Sequence, residues 1–398
     1  KTTLGAVSVP AESANPLILS ANDGIDYTFW VDAAGNLFGR DFTFNNGFIN
    51  DVTIAGESIL GSIATGEYVR FASGVLEFGP NATIGDNTDR TVTVGATGDF
   101  ATLNAALEAL SRVVPAYKNG GFTATIEIQD GTTITETIEI VGVDMRFITI
   151  TSELGNAVDV SIGASDTFLT VRDGGVSPKI DISIAVANNA RAFYAAGGGE
   201  IAVSGDITLT RTTPSAINLV LLQDRGSIIG YGLGSSAGAI TCSGGFILVE
   251  LGSTIDIDRL IINASGLSPC LNISQSSSVK VDSLAVDNPV LYGVFLEVAS
   301  TLICRSITVN GTDDAASWAV WINDGSRVNA GLISINAYTT GGINVEDGGS
   351  LFCRSILDLD GSGFALRTQN GGISVVSTIV GTTTPAINTF GLGGLIIS

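Results

Sequence analysis

The chain has 398 residues, with 50 glycines, 4 cysteines and no histidine, and its 18 Lys and Arg against 39 Asp and Glu leave a net charge of −21. The missing histidine excludes a Ser-His-Asp triad, a Cys-His pair, a histidine general base and a His-ligated metal. The acidity excludes a nucleic-acid partner, which needs Lys and Arg set against its phosphates.

With 45% hydrophobic and 14% charged residues, the composition is that of a packed chain rather than a disordered one. Its mean hydropathy of +0.41 comes from short alternating runs, none near the ~18 consecutive apolar residues of a spanning helix. No membrane insertion is expected. The first residues, from Lys1, lack a compact apolar core, so they identify no targeting segment. Cys242, Cys270, Cys304 and Cys353 show no CxxC spacing, and buried free thiols are the expectation.

Residues 1–90 read as a module of short hairpins. Tyr27–Val31 and Leu37–Phe38 flank the turn Ala33-Ala34-Gly35-Asn36. Phe42–Phe44 and Phe48–Ile49 flank Asn45-Asn46-Gly47, a stronger turn signal, and a third hairpin runs from Tyr68 to Phe78 around Ser73-Gly74. Hairpins this short need a partner to pack on. The boundary is expected at 80–90, where Gly79-Pro80 and the polar run Gly85–Arg90 interrupt the pattern.

Next comes a cap over 98–112. Phe100, Leu103, Leu107 and Leu110 fall on one helical face, with Asp99 as the expected N-cap. The stretch 124–140, ATIEIQDGTTITETIEI, then alternates as the first rungs of a solenoid.

From there a small residue, any residue and an apolar residue recur at Val176, Ile201, Ile228, Ile255, Val279, Leu302, Val328, Leu351 and Ile373, at spacings of 25, 27, 27, 24, 23, 26, 23 and 22. A period in the twenties with β-branched strands predicts an all-β fold, a parallel β-helix of three short strands per coil. Eight and six residues before each anchor the side chains are apolar and inward, from Phe193 and Ala195 onward. Asn263, Asp287, Asn310 and Asn336 fall eight residues after their anchors, as an expected ladder of left-handed turns.

The segments TVTVGATGDFATLNAALEAL (91–110) and ATIEIQDGTTITETIEI (124–140) resemble the opening of pectate-lyase-like right-handed β-helices, and the ending GTTTPAINTFGLGGLIIS (381–398) resembles phage tail-fibre proteins. The resemblance covers 91–398. It implies a right-handed β-helix in a virion tail fibre or tailspike, a homotrimer outside the cell that binds a host surface glycan. Residues 1–90 would then face other virion proteins. A polysaccharide depolymerase on the same scaffold and a bacterial surface adhesin are the alternatives.

Two outward columns carry the chemistry. Seven before each anchor stand Tyr194, Leu221, Leu248, Asn272, Phe295, Trp321, Asn344 and Leu366, apolar enough to be a subunit interface or an aromatic platform for sugar rings. Two residues on, Glu297 and Glu346 lie two rungs apart, about 9.6 Å at ~4.8 Å per rung, with Trp321 on the rung between. That is the upper edge of an inverting glycosidase's carboxylate separation. Glu250 and Glu297 offer the same spacing, and solvated carboxylates are the plainer alternative. No cofactor and no metal are expected: Asp358-Leu359-Asp360-Gly361 lacks the later ligands of a calcium loop, and Gly230-Tyr231-Gly232-Leu233-Gly234 has no βαβ unit around it.

Overall fold

The computed structural model divides into two compact units, Lys1–Ala82 and Thr83–Ser398. It describes residues 89–111 and 123–381, apart from short segments at 188, 212–216, 232–237, 264–268, 290–291, 312–317, 337–340 and 359–363. Elsewhere only the strands named below are described.

In the first unit, Leu17–Asn22, Tyr27–Asp32 and Leu37–Gly39 form one antiparallel sheet. Ser58–Ser62, Glu67–Ala72 and Val75–Phe78 form another. Trp30 opposes Phe38, and Ala72 opposes Val75 across Ser73-Gly74, so the first and third expected hairpins are both present. The second, at 42–49, lies outside the described residues.

The second unit is a right-handed parallel β-helix. An 11-stranded sheet runs from Ile138–Val141 through Tyr292–Leu296, Trp318–Ile322 and Gly341–Val345 to Ala386–Phe390, and an 18-stranded sheet forms the rest of the wall. Each later coil pairs one short strand with a long one, such as Thr254–Asn263 or Thr301–Asn310. The long strands bend in the middle, where Asp258, Asp282 and Arg305 drop out of the pairing register.

Side chains alternate across the wall because the strand period is two. Phe193, Val220, Ile247, Leu271, Val294, Val320 and Ile343 stack in register inside the solenoid, and all are buried. Each added coil thus removes another layer of apolar side chains from water, at about 25 cal/mol per Å².

The two terminal anchors are corrected by one residue. Val176 opposes outward Glu200 and Ile373 opposes Ser350; the inward positions are taken by Ser177 and Ser374, both 0% exposed. In each Gly-Gly pair the first glycine turns the corner, Gly174 at φ 74° and Gly371 at φ 79°. The second fills the small site: a Cβ on Gly372 would stand 2.6 Å from the Val345 carbonyl oxygen of the previous coil. A small-x-apolar pattern aligned on the first glycine therefore lands one residue early.

The left-handed corner is corrected as well. It precedes the small site, as two successive positive-φ residues: Asp224-Arg225, Gln275-Ser276, Val298-Ala299, Asp324-Gly325, Asp347-Gly348 and Asn370-Gly371. Backbone bonds link these corners from coil to coil, with Ser276 N donating to Val298 O at 2.8 Å and Ala299 N to Asp324 O at 2.8 Å. Asn263, Asp287, Asn310 and Asn336 instead end the long strands and are absent from the positive-φ residues. They do stack in register, and Asn310 Nδ2 donates to Asp287 Oδ1 at 2.8 Å.

The cap helix spans Leu103–Ser111 and buries Leu103, Ala106, Leu107 and Leu110. Its N-terminus is held by Glu136, whose carboxylate accepts from Leu103 N at 2.5 Å and Asn104 N at 3.1 Å. Asp99, the expected cap, accepts from Thr93 N and Oγ1 instead. All four cysteines are free and buried. No helix of the described residues is long and apolar enough to cross a membrane.

Candidate functional site

The short-strand sheet carries the outward column. Pairing runs Tyr194–Leu221–Leu248–Asn272–Phe295–Trp321–Asn344–Arg367, one residue per coil. Leu366 is not in it. Because the Ile373 anchor lies one residue early, the residue seven before it is the inward Leu366, 0% exposed and opposite Ile343, and Arg367 holds the outward place. From Tyr194 to Trp321 every member is half-buried and Asn344 is fully covered, so the column is less open than its apolar sequence implies.

Its upper part is plain. Tyr194 accepts a bond from Gln223 Nε2 at 2.6 Å, and Leu221 and Leu248 follow on the next coils. The lower part is an aromatic cluster. Tyr292 and Phe295 stack at 5.5 Å between ring centroids, and Trp321 meets both edge-on, at 4.8 Å and 5.7 Å. Arg367 lies over the Trp318 ring at 4.3 Å, and its Nε donates to Asn344 Oδ1 at 2.8 Å. Because Arg only donates, this bond fixes the Asn344 amide with its oxygen toward Arg367 and its nitrogen away.

Three polar atoms of this column are buried without a hydrogen-bond partner: Asn272 Oδ1, Trp321 Nε1 and Asn344 Nδ2. The others so placed among the described residues are the Ser253 and Ser300 hydroxyls of the inner wall. Each such group costs about 1–3 kcal/mol. The three fall within four consecutive coils of one face, where the protein itself covers them.

The carboxylates flank the cluster. Glu297, Asn323 and Glu346 follow one another on successive coils, so the carboxylates sit about 9.6 Å apart at ~4.8 Å per rung, with Asn323 between them. Burial, reinforced by Asp324, raises the pKa of Glu297 above the ordinary glutamate value. Glu346 is 8% exposed and accepts a short bond from Gln369 Nε2. Glu250 lies on the same face two coils before Glu297, half-buried. Among the described residues no group of three or more Asp, Glu or Cys could hold a metal.

Sequence reasoning missed Tyr292, Trp318 and Arg367. Arg367 was hidden by the one-residue offset of the Ile373 anchor. Tyr292 and Trp318 begin their strands, ahead of the two alternating columns. No protein-family model and no curated protein matches this sequence.

Proposed function

We propose that the chain is the receptor-binding part of a phage tail fibre or tailspike, a homotrimeric β-helical appendage outside the virion that holds a host cell-surface glycan. The first unit, Lys1–Ala82, would attach it to other virion proteins. One observation carries the reading: the half-buried Tyr292–Phe295–Trp321 cluster stands on the outward face of the short strands, beside the half-buried Glu297 and Asn323. Sugar rings offer apolar faces to aromatic rings and hydroxyls to polar side chains of this kind. Leu221 and Leu248, further up the column, suit contact with neighbouring copies. The experiment is retention on a panel of neutral and acidic bacterial surface polysaccharides, where Trp321→Ala of unchanged thermal midpoint loses binding. Retention equal to wild type would sink the reading.

A second reading, a polysaccharide depolymerase, is favoured by the raised pKa of Glu297, which suits a general acid, two coils from Glu346 as base. Release of new reducing ends from a bound polysaccharide, abolished in Glu297→Gln and Glu346→Gln, is the outcome it requires. Binding without any new reducing ends removes it.

A further inference from the structure

The long-strand side of the solenoid changes charge along its axis. Thr254–Asn263 carries Asp256 and Asp258, and Ser278–Asp287 carries Asp282 and Asp287. The next two long strands, Thr301–Asn310 and Arg327–Asn336, contain no carboxylate, and in Ser350–Asp358 the last residue is the only one. These same three strands hold Arg305, Arg327 and Arg354, all exposed.

Among the described residues, none of these three guanidiniums lies within ion-pairing distance of a carboxylate. Elsewhere pairing is frequent: Arg146 with Asp144, Arg172 with Glu139, Arg259 with Asp206 and Lys280 with Asp256. Asp282 precedes Arg305 by one coil in the same column without an ion pair to it, and the long strands of Arg327 and Arg354 carry no carboxylate before Asp358. Screening weakens the field of charges farther off than about 8 Å at physiological salt, so the net charge of −21 does not by itself cancel the patch.

The patch also has a layout. Arg305, Gly331 and Arg354 share one column at the strand bend, so the arginines bracket a position without a side chain, about 9.6 Å apart at ~4.8 Å per rung. Arg327 lies over one face of the Phe352 ring at 4.6 Å, and Ile303, 45% exposed, stands in the same column as Asn329 and Phe352. Cations two rungs apart, with apolar surface beside them, address successive charges of a polymer better than one small anion.

We propose that Arg305, Arg327 and Arg354 form a second binding surface, for the carboxylates or sulfates of an acidic polysaccharide laid across these coils. Guanidinium forks match both groups, and Phe352 and Ile303 take the apolar side of the sugar between two charges. Three cations are too few for the dense phosphates of a nucleic acid. The proposal is independent of the Trp321 face, which is flanked by carboxylates and suits neutral sugars.

The test is biolayer interferometry of the full chain against immobilised polygalacturonate, dextran sulfate, uncharged dextran and duplex DNA, at low and at physiological ionic strength. Wild type is expected to bind a polyanionic glycan, not dextran or DNA, and more weakly as salt rises. Arg305→Gln/Arg354→Gln, with an unchanged thermal midpoint, is expected to lose about tenfold or more in affinity. Trp321→Ala is expected to keep polyanion binding, which separates this surface from the other face. No binding of either polyanion, full binding by the double variant, equal binding of DNA, or displacement by inorganic sulfate at equal charge concentration would each overturn it.

Discussion

The hydroxyls of Thr368 and Ser374 lie 2.9 Å apart inside the solenoid, at positions where the coil before carries Val345 and Leu351. Both are 0% exposed, and among the described residues each hydroxyl is compensated by the other for leaving water. Thr368→Val alone strands the Ser374 hydroxyl and is expected to cost roughly 1–3 kcal/mol, whereas Thr368→Val/Ser374→Ala removes both partners and is nearly neutral. A double-mutant cycle by urea denaturation measures the difference.

Arg211 is 3% exposed and has no carboxylate partner among the described residues. Its guanidinium instead donates to the carbonyls of Ala190, Ile217 and Asn218, the bond to Ile217 O at 2.6 Å. Arg211→Met removes these bonds from the wall, and a loss of roughly 2–4 kcal/mol is expected from bonds to a charged donor. The thermal midpoint reads it, and an unchanged midpoint would contradict the role.

Val298 is a β-branched residue at φ 53°, 44% exposed, where the equivalent corners carry Asp324, Asp347 and Asn370. A left-handed conformation costs such a residue about 1 kcal/mol or more. Val298→Asn is expected to raise the urea midpoint by an equivalent of about 1 kcal/mol with an unchanged slope.

Glu297 supplies the pH dependence. Its folded pKa lies above the ordinary value of 4.5, so ionisation is resisted in the fold. The group is neutral in both states below that value and carries no penalty there. The penalty grows as pH rises through the folded pKa and is complete above it. Glu297→Gln is therefore expected to raise the thermal midpoint near neutral pH, and the gain should vanish in acid. A gain that persists below pH 4.5 would contradict burial as its cause.

Burial raises the thiol pKa of Cys242, Cys270 and Cys304 to about 12, and that of Cys353 also upward. Without thiolate there is no nucleophile. Alkylation of the native protein in mildly alkaline buffer is expected to label no cysteine until denaturant is added, as mass spectrometry would record.

The inner wall was legible in the sequence because each inward side chain stacks on one of the same kind a coil away, from Phe193 to Ile343. Register at Gly174-Gly175 and Gly371-Gly372 was not, since either glycine fits a small-residue pattern and only the left-handed corner tells them apart. That corner was signalled by Asp324-Gly325, Asp347-Gly348 and Asn370-Gly371, then obscured by Leu251-Gly252 and Val298-Ala299 in the same place. The helix cap was hidden for another reason: Glu136 comes from 33 residues along the chain. Phe295 and Trp321 could be read from their column, but Arg367 and the buried, unpaired Asn272 Oδ1 and Asn344 Nδ2 depend on register and packing.

The most direct measurement of the glycan-binding claim is a crystal structure of the chain with an oligosaccharide from a polysaccharide that it retains. A sugar ring against Trp321, with hydroxyls within hydrogen-bonding distance of Glu297 or Asn323, is the predicted result. A sugar bound elsewhere, with the Asn272–Asn344 face filled by a neighbouring copy, would contradict it.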